Sequence, residues 1–120
     1  MLPKRYRLRK NIEFVATYAQ KKHVSCEYFV INLGKLKPNE DYVSKAAFVV
    51  SKKVDKRAVV RNKIKRRMRE VYKSLIAENK TFPKWMSVVV SAKSAAKDID
   101  FAVFNNELRT LFEKAEEKYD

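Results

Sequence analysis

Eleven of the 22 residues from Lys52 to Lys73 (KKVDKRAVVRNKIKRRMREVYK) are Lys or Arg, and only Asp55 and Glu70 are acidic. The chemistry such a run performs is the holding of phosphates: Arg offers a planar fork for bidentate contacts, and Lys a point charge. On a helical wheel, Val60, Ile64, Met68, Val71 and Leu75 fall within about 40° of one direction. Arg61, Lys65 and Arg69 form a ridge beside that stripe. Asn62, Arg66 and Lys73 continue to the far side, and Lys63 and Arg67 occupy the other flank. Like charges four apart, such as Arg61/Lys65 and Lys65/Arg69, each weaken a helix by roughly 0.2–0.5 kcal/mol. A helix that is merely solvated intersperses Glu; a phosphate backbone removes the repulsion and releases counterions on binding. Asn62 can bond a base edge or a 2′-hydroxyl, or can bond locally near the helix start.

A second set of candidate residues is aromatic. Phe14 and Tyr18 are four apart and share one helix face, as core residues or as a stacking platform for unpaired bases beside a positive groove. Tyr28 and Phe29 point to opposite faces of a strand, which leaves one for the core and one for the surface. Other chemistries find little support. Phosphodiester hydrolysis by a protein requires clustered carboxylates or a His acid–base pair, whereas the acids are scattered and His23 is the only histidine. Cys26 is the only cysteine, so no internal disulfide forms, and one Cys with one His does not make a structural zinc site. Cys26 reads as an ordinary small residue near a strand.

The elements that must position these residues follow from periodicity. Asn11 offers an N-cap, and Ile12, Val15 and Ala19 recur at helical spacing, which predicts a short helix over about 11–21 with that stripe as its apolar face. Residues 27–33 and 44–52 read as strands, joined through the turn chemistry of Pro38-Asn39-Glu40-Asp41 and expected to pair antiparallel. A long helix runs from Ala58 to about Asn79, and Pro83 bars its continuation. Residues 87–92 form a short strand buried on both faces. Asp98 or Asp100 caps a last helix with Phe101, Phe104, Leu108, Leu111 and Phe112 inward. The order is α-β-β-α-β-α in one domain spanning residues 1–120, an α+β arrangement, and the strand–helix–strand succession suggests a βαβ crossover.

Composition agrees with a polyanionic partner. The chain carries 28 Lys and Arg against 14 acids, a formal charge of +14. No fold needs such an excess, and self-repulsion opposes compaction. Residues 98–120 hold seven acids and three bases, so the first 97 residues carry +18 and the contact surface lies away from the last helix. Lys4, Arg5, Arg7, Arg9 and Lys10 form a basic arm without an acid. No apolar run has the length of a bilayer span or of a signal-peptide core, which points to the cytoplasm and away from a membrane, although an amphipathic basic helix also suits an anionic lipid surface.

Val50-Ser51-Lys52-Lys53, followed by Ala58-Val59-Val60-Arg61-Asn62-Lys63-Ile64-Lys65-Arg66-Arg67-Met68-Arg69-Glu70, closely resembles the signature of the protein subunit of bacterial ribonuclease P. Tyr6-Arg7-Leu8-Arg9-Lys10-Asn11 with Phe14 resembles that family's N-terminus. The resemblance implies an α/β sandwich with a left-handed βαβ crossover, against the general rule for such units. It implies a non-catalytic protein that assists a catalytic RNA in removing the 5′ leader from precursor tRNA, with Mg²⁺-dependent hydrolysis performed by the RNA. The implied partners are ribonuclease P RNA and precursor tRNA, with no obligate protein partner. A general or ribosome-associated RNA-binding protein is the alternative, since it shares the charge pattern.

Carried over to this chain, the ribozyme-contact residues are Arg61, Asn62, Lys65, Arg66 and Arg69, with Lys63 in place of the motif's second Arg, and Lys52, Lys53 and Arg57 ahead of the helix. The leader cleft, between the first helix and the sheet, is implied to use Phe14, Tyr18 and Phe29. Asp55-Lys56-Arg57-Ala58 replaces the basic residue followed by Gly-Asn-Ala that many members have before the helix. Asn32 stands where some members have an aromatic, and the Gly often found after the first helix is absent around Lys21-Lys22-His23.

Overall fold

The computed structural model describes residues 3–39, 41–79 and 82–119. The main elements are α1 (Asn11–Ala19), β1 (Lys22–Ser25), β2 (Phe29–Leu33), β3 (Lys45–Val49), α2 (Ala58–Glu78), β4 (Ser87–Ala92) and α3 (Phe101–Lys118). The four strands form one sheet in the order β1-β2-β4-β3. β1 was not anticipated: with Lys22, His23 and Ser25 among its four residues it lacks the apolar alternation of a strand, and its pairing with β2 holds it in place.

The expected pairing of β2 with β3 is also corrected. β4 lies between them, antiparallel to β2 and parallel to β3. β2 and β3 therefore do not form a hairpin, and α2 lies in the connection between the parallel neighbours β3 and β4. Val88, Val89 and Val90 are fully buried, as a central strand covered on both faces requires.

The registers divide the sheet into two unlike faces. Phe29, Ile31 and Leu33 of β2 pair with Ala92, Val90 and Val88 of β4, and Ala46 and Phe48 of β3 lie in the same layer. This face packs on α2 and α3: Phe29 meets Phe104 edge-on at 4.9 Å, and Phe48 meets Tyr72 at 5.6 Å. Ile64, Met68, Val71 and Tyr72 are the buried residues of α2. Tyr72 widens the stripe that the sequence suggests, while Val60 and Leu75 are only partly buried. α3 buries Phe104, Leu108, Leu111, Phe112 and Ala115. Its N-cap is Asp100, whose carboxylate accepts from the Val103 N–H at 3.0 Å. Phe101 is outside the core, with the Arg67 guanidinium 5.9 Å from its ring.

Among the described residues α1 is the one main helix on the opposite face, and here the expected packing is reversed. Ile12 (74% exposed), Val15 (58%) and Ala19 point to solvent, and the one buried residue of α1 is Thr17. The free edges of the sheet are both occupied. Leu8 N–H donates to the Ala46 carbonyl beside β3, and the Tyr119 hydroxyl accepts from His23 N–H and donates to His23 C=O on β1.

Candidate nucleic-acid interface

α2 presents its charges in three strips. Asn62, Arg66 and Lys73 are exposed on the outer side and, with Arg69 and Glu70, line a shallow recess of about 390 Å³. Arg61, Lys65 and Arg69 form the strip next to the buried stripe and are partly covered. Lys63 is exposed on the other flank, and Arg67 on that flank donates to the Ile99 carbonyl at 3.4 Å. Lys52 and Lys53 are exposed in the turn after β3. Asn62 is exposed and its side chain makes no hydrogen bond among the described residues, so it does not cap the helix start.

The approach to α2 is built on Asp55. Its side chain is 6% exposed, and it accepts from Arg57 N–H at 2.8 Å and from Arg57 Nε and Nη2 at 3.1 and 3.0 Å, with Lys97 Nζ at 3.2 Å. The Arg57 hydrogen bonds hold the Asp55 carboxyl well below the ordinary aspartate range. Arg61 adds donors to the Asp55 and Lys56 carbonyls at 3.1 and 2.7 Å. Thus two of the basic residues singled out in the sequence, Arg57 and Arg61, first organise the turn that starts the helix. Arg57, still largely exposed on its side chain, also presents charge to solvent.

A second recess, of about 340 Å³, lies between the N-terminal arm, α1 and β3. Phe14, Ala47 and Val49 supply apolar lining, Arg7 and Arg9 come from the arm, and Arg69 enters from α2. Arg69 therefore borders both recesses. Tyr18 lies one turn beyond Phe14 on the same side of α1 and is 46% exposed, outside this lining. Phe29 is corrected: it is fully buried on the other face of the sheet, against Phe104. Period-two alternation puts Val30 and Asn32, not Phe29, on the α1 side, opposite Ser91 and Val89. The signal that could have shown this is Phe29-x-Ile31-x-Leu33, whose three large apolar residues claim the core face together.

α1 itself is tied down by polar groups. Glu13 Oε2 accepts from Lys45 Nζ at 2.9 Å, and this bond holds the Glu13 carboxyl below its ordinary range. Thr17 Oγ1 lies 2.5 Å from Ser87 Oγ and donates to the Glu13 carbonyl at 2.8 Å.

The family model described as Ribonuclease P matches residues 2–116. The chain belongs to the ribonuclease P protein family. It is 37% identical over 117 residues to the ribonuclease P protein component of Citrifermentans bemidjiense, covering 98% of this chain and 94% of that one. It is 33% identical to that of a Cyanothece strain, covering 97% and 96%. The solved ribonuclease P protein of Staphylococcus aureus superposes with a TM-score of 0.76 at 31% identity, over 92% of this chain and 94% of that one. That of Thermotoga maritima gives 0.72 at 30% identity, over 90% and 96%. As a ribonuclease P protein, the chain is an RNA-binding component of a tRNA-processing endoribonuclease.

Among the described residues no three His, Cys, Asp or Glu side chains cluster as metal ligands. Glu70 is the one carboxylate in the lining of the α2 recess, among Arg66, Arg69 and Lys73, while Glu13 and Asp55 are engaged by Lys45 and by Arg57 with Lys97. This donor set does not build a divalent-metal cage. Among the described residues no helix is long and apolar enough to cross a membrane.

Proposed function

We propose that this protein assembles in the cytoplasm with a catalytic ribonuclease P RNA, holding that RNA on the basic side of α2 and the 5′ leader of precursor tRNA in the recess between α1 and the sheet. The RNA, with Mg²⁺ bound mainly to it, performs the hydrolysis. The protein supplies phosphate neutralisation from Lys52, Lys53, Arg57, Arg61, Lys63, Lys65, Arg66 and Arg69, and an aromatic surface from Phe14 with Tyr18 at its far end. The observation that carries this reading is Arg69, which borders the recess on the outer side of α2 and the one lined by Phe14. A ribozyme on α2 and a single strand passing Phe14 would then share one continuous positive surface.

The test is reconstitution with a bacterial ribonuclease P RNA. Adding the protein should lower the Mg²⁺ concentration needed to cleave precursor tRNA, while the protein alone should cleave nothing. No change at any of several salt concentrations would overturn the assignment. Stacking is worth about 1–3 kcal/mol per base, so Phe14→Ala should weaken leader-bearing substrate roughly tenfold and leave mature tRNA unaffected. Equal losses would remove the leader from this recess. Affinity for ribosomal RNA equal to that for ribonuclease P RNA would favour a general RNA-binding role.

A further inference from the structure

α1 has nine residues, a length at which an isolated helix is marginal in water. Apolar burial contributes little to its position: Ile12 and Val15 face solvent, Phe14 is only partly covered, and Thr17 alone is buried. Its place on the sheet rests on two polar attachments one helical turn apart: Glu13 to Lys45 and Thr17 to Ser87. Lys45 of β3 and Ser87 of β4 are register partners, so successive turns of one side of α1 meet a single cross-strand pair.

The hydroxyl pair has a defined polarity. Thr17 Oγ1 donates to the Glu13 carbonyl, so in the 2.5 Å contact Ser87 is the donor and Thr17 the acceptor. The chain's single glycine sits against this group. A Cβ at Gly34 would overlap Ser87 Oγ, and Gly34 N–H donates to the Ser87 carbonyl at 2.9 Å. The φ of Gly34 is not positive, so close approach, not backbone freedom, is what requires glycine here.

Phe14 and Tyr18 each directly follow an attached residue, about 100° further round the helix. A clamp on Glu13 and Thr17 thus sets both the distance of α1 from the sheet and the direction in which the aromatic pair points. We propose that Thr17, Ser87 and Gly34, with the Glu13–Lys45 pair, are positioning residues that set the width of the α1–sheet recess and so its grip on a single-stranded RNA segment. This rests on the reading of that recess as the leader site.

Thr17→Val keeps the shape and removes the hydroxyl; Thr17→Ser keeps the hydroxyl. In the reconstituted holoenzyme, Thr17→Val should raise KM for leader-bearing precursor tRNA about fivefold or more with little change in kcat. Binding of the protein to ribonuclease P RNA should not change, and Thr17→Ser should restore KM. Gly34→Ala, which displaces the Ser87 hydroxyl, should reproduce the Thr17→Val pattern. Hydrogen exchange on the free protein provides a separate arm: the amides of α1 should exchange at least tenfold faster in Thr17→Val while those of β2 and β4 stay protected.

Unchanged exchange in α1 would overturn the clamp. Faster exchange with unchanged KM, in a holoenzyme where Phe14→Ala does lose leader selectivity, would overturn its positioning role. If Phe14→Ala shows no leader selectivity, the leader reading fails on its own, and the proposed grip on leader fails with it even if exchange still reports the clamp.

Discussion

The two faces of the sheet are covered by opposite means. On one, α2 and α3 bury aromatic and aliphatic side chains against Phe29, Ile31, Leu33, Val88 and Val90, and the stabilisation is apolar and insensitive to small displacements. On the other, α1 is attached by two polar contacts and leaves apolar side chains in water. Hydrogen bonds contribute about 0.5–1.5 kcal/mol each, far less than a packed layer, but they specify geometry closely. The fold thus places its stability on one face and keeps a surface open on the other. The same helix–sheet contact that would have completed a second core remains a recess with Phe14 inside it.

The sharpest way to break that contrast is to alter apolar residues on both sides. Phe104 is fully buried and meets Phe29 edge-on. Phe104→Ala should cost about 3–5 kcal/mol, read as a lowered urea midpoint with an unchanged slope. Ile12→Ser on the outer side of α1 should stay within about 0.5 kcal/mol of the parent. A large loss from Ile12→Ser would mean that α1 is packed through its apolar side after all.

A second contrast separates the start of α2 from that of α3. α3 begins with a conventional side-chain cap, Asp100. α2 begins at Arg57 without one, has no acid in its first turn, and so places cations at the positive end of the helix dipole. Asp55, one residue before Lys56, offsets this by accepting from the Arg57 backbone and side chain. Its folded pKa is depressed, chiefly by the Arg57 side-chain hydrogen bonds. The stabilisation it provides is therefore full above the ordinary aspartate pKa of about 3.9 and is lost as pH falls below it. Asp55→Asn should lower the urea midpoint at pH 7 and reduce the further drop between pH 5 and pH 3. If parent and variant lose the same stability over that interval, Asp55 is not the group that titrates.

How much of this could be read from the sequence depended on how local the determinant was. The stripe and basic remainder of α2 are a property of one segment, and Ile64, Met68 and Val71 are buried as that pattern requires. The family motif added the RNA partner. Non-local determinants were lost. β1 has no periodic signal of its own, and the β3–β4 pairing depends on the crossover, which no local turn encodes. The apolar spacing of Ile12, Val15 and Ala19 was misleading because α1 is held by its polar side. Phe29 lies on the core face and not on the cleft side that the family resemblance implies, because Phe29, Ile31 and Leu33 alternate together toward α2 and α3, and alternation between Tyr28 and Phe29 alone does not say which of the two turns inward. The double use of Arg57 and Arg61, as turn organisers and surface cations, is likewise invisible without the carbonyls and carboxylate they reach.

That double use sets up the smallest and most discriminating of the expected effects. The Arg66 side chain is exposed on the outer side of α2 and makes no hydrogen bond or ion pair among the described residues, whereas Arg61 bonds two loop carbonyls. Arg66→Ala should leave the urea midpoint unchanged, weaken ribonuclease P RNA on the order of fivefold, and reduce the slope of log affinity against log salt by about one. Arg61→Ala should lower the urea midpoint as well, because the carbonyls of Asp55 and Lys56 lose their donor. Arg61→Lys should retain much of the salt slope and recover part of the midpoint, since both carbonyls are reached by the single Nη1, a task one ammonium can share. Equal midpoints for Arg61→Ala and Arg66→Ala would mean that the loop holds its shape through Asp55 alone, and would return Arg61 to the purely phosphate-facing role that its place in the basic run first suggests.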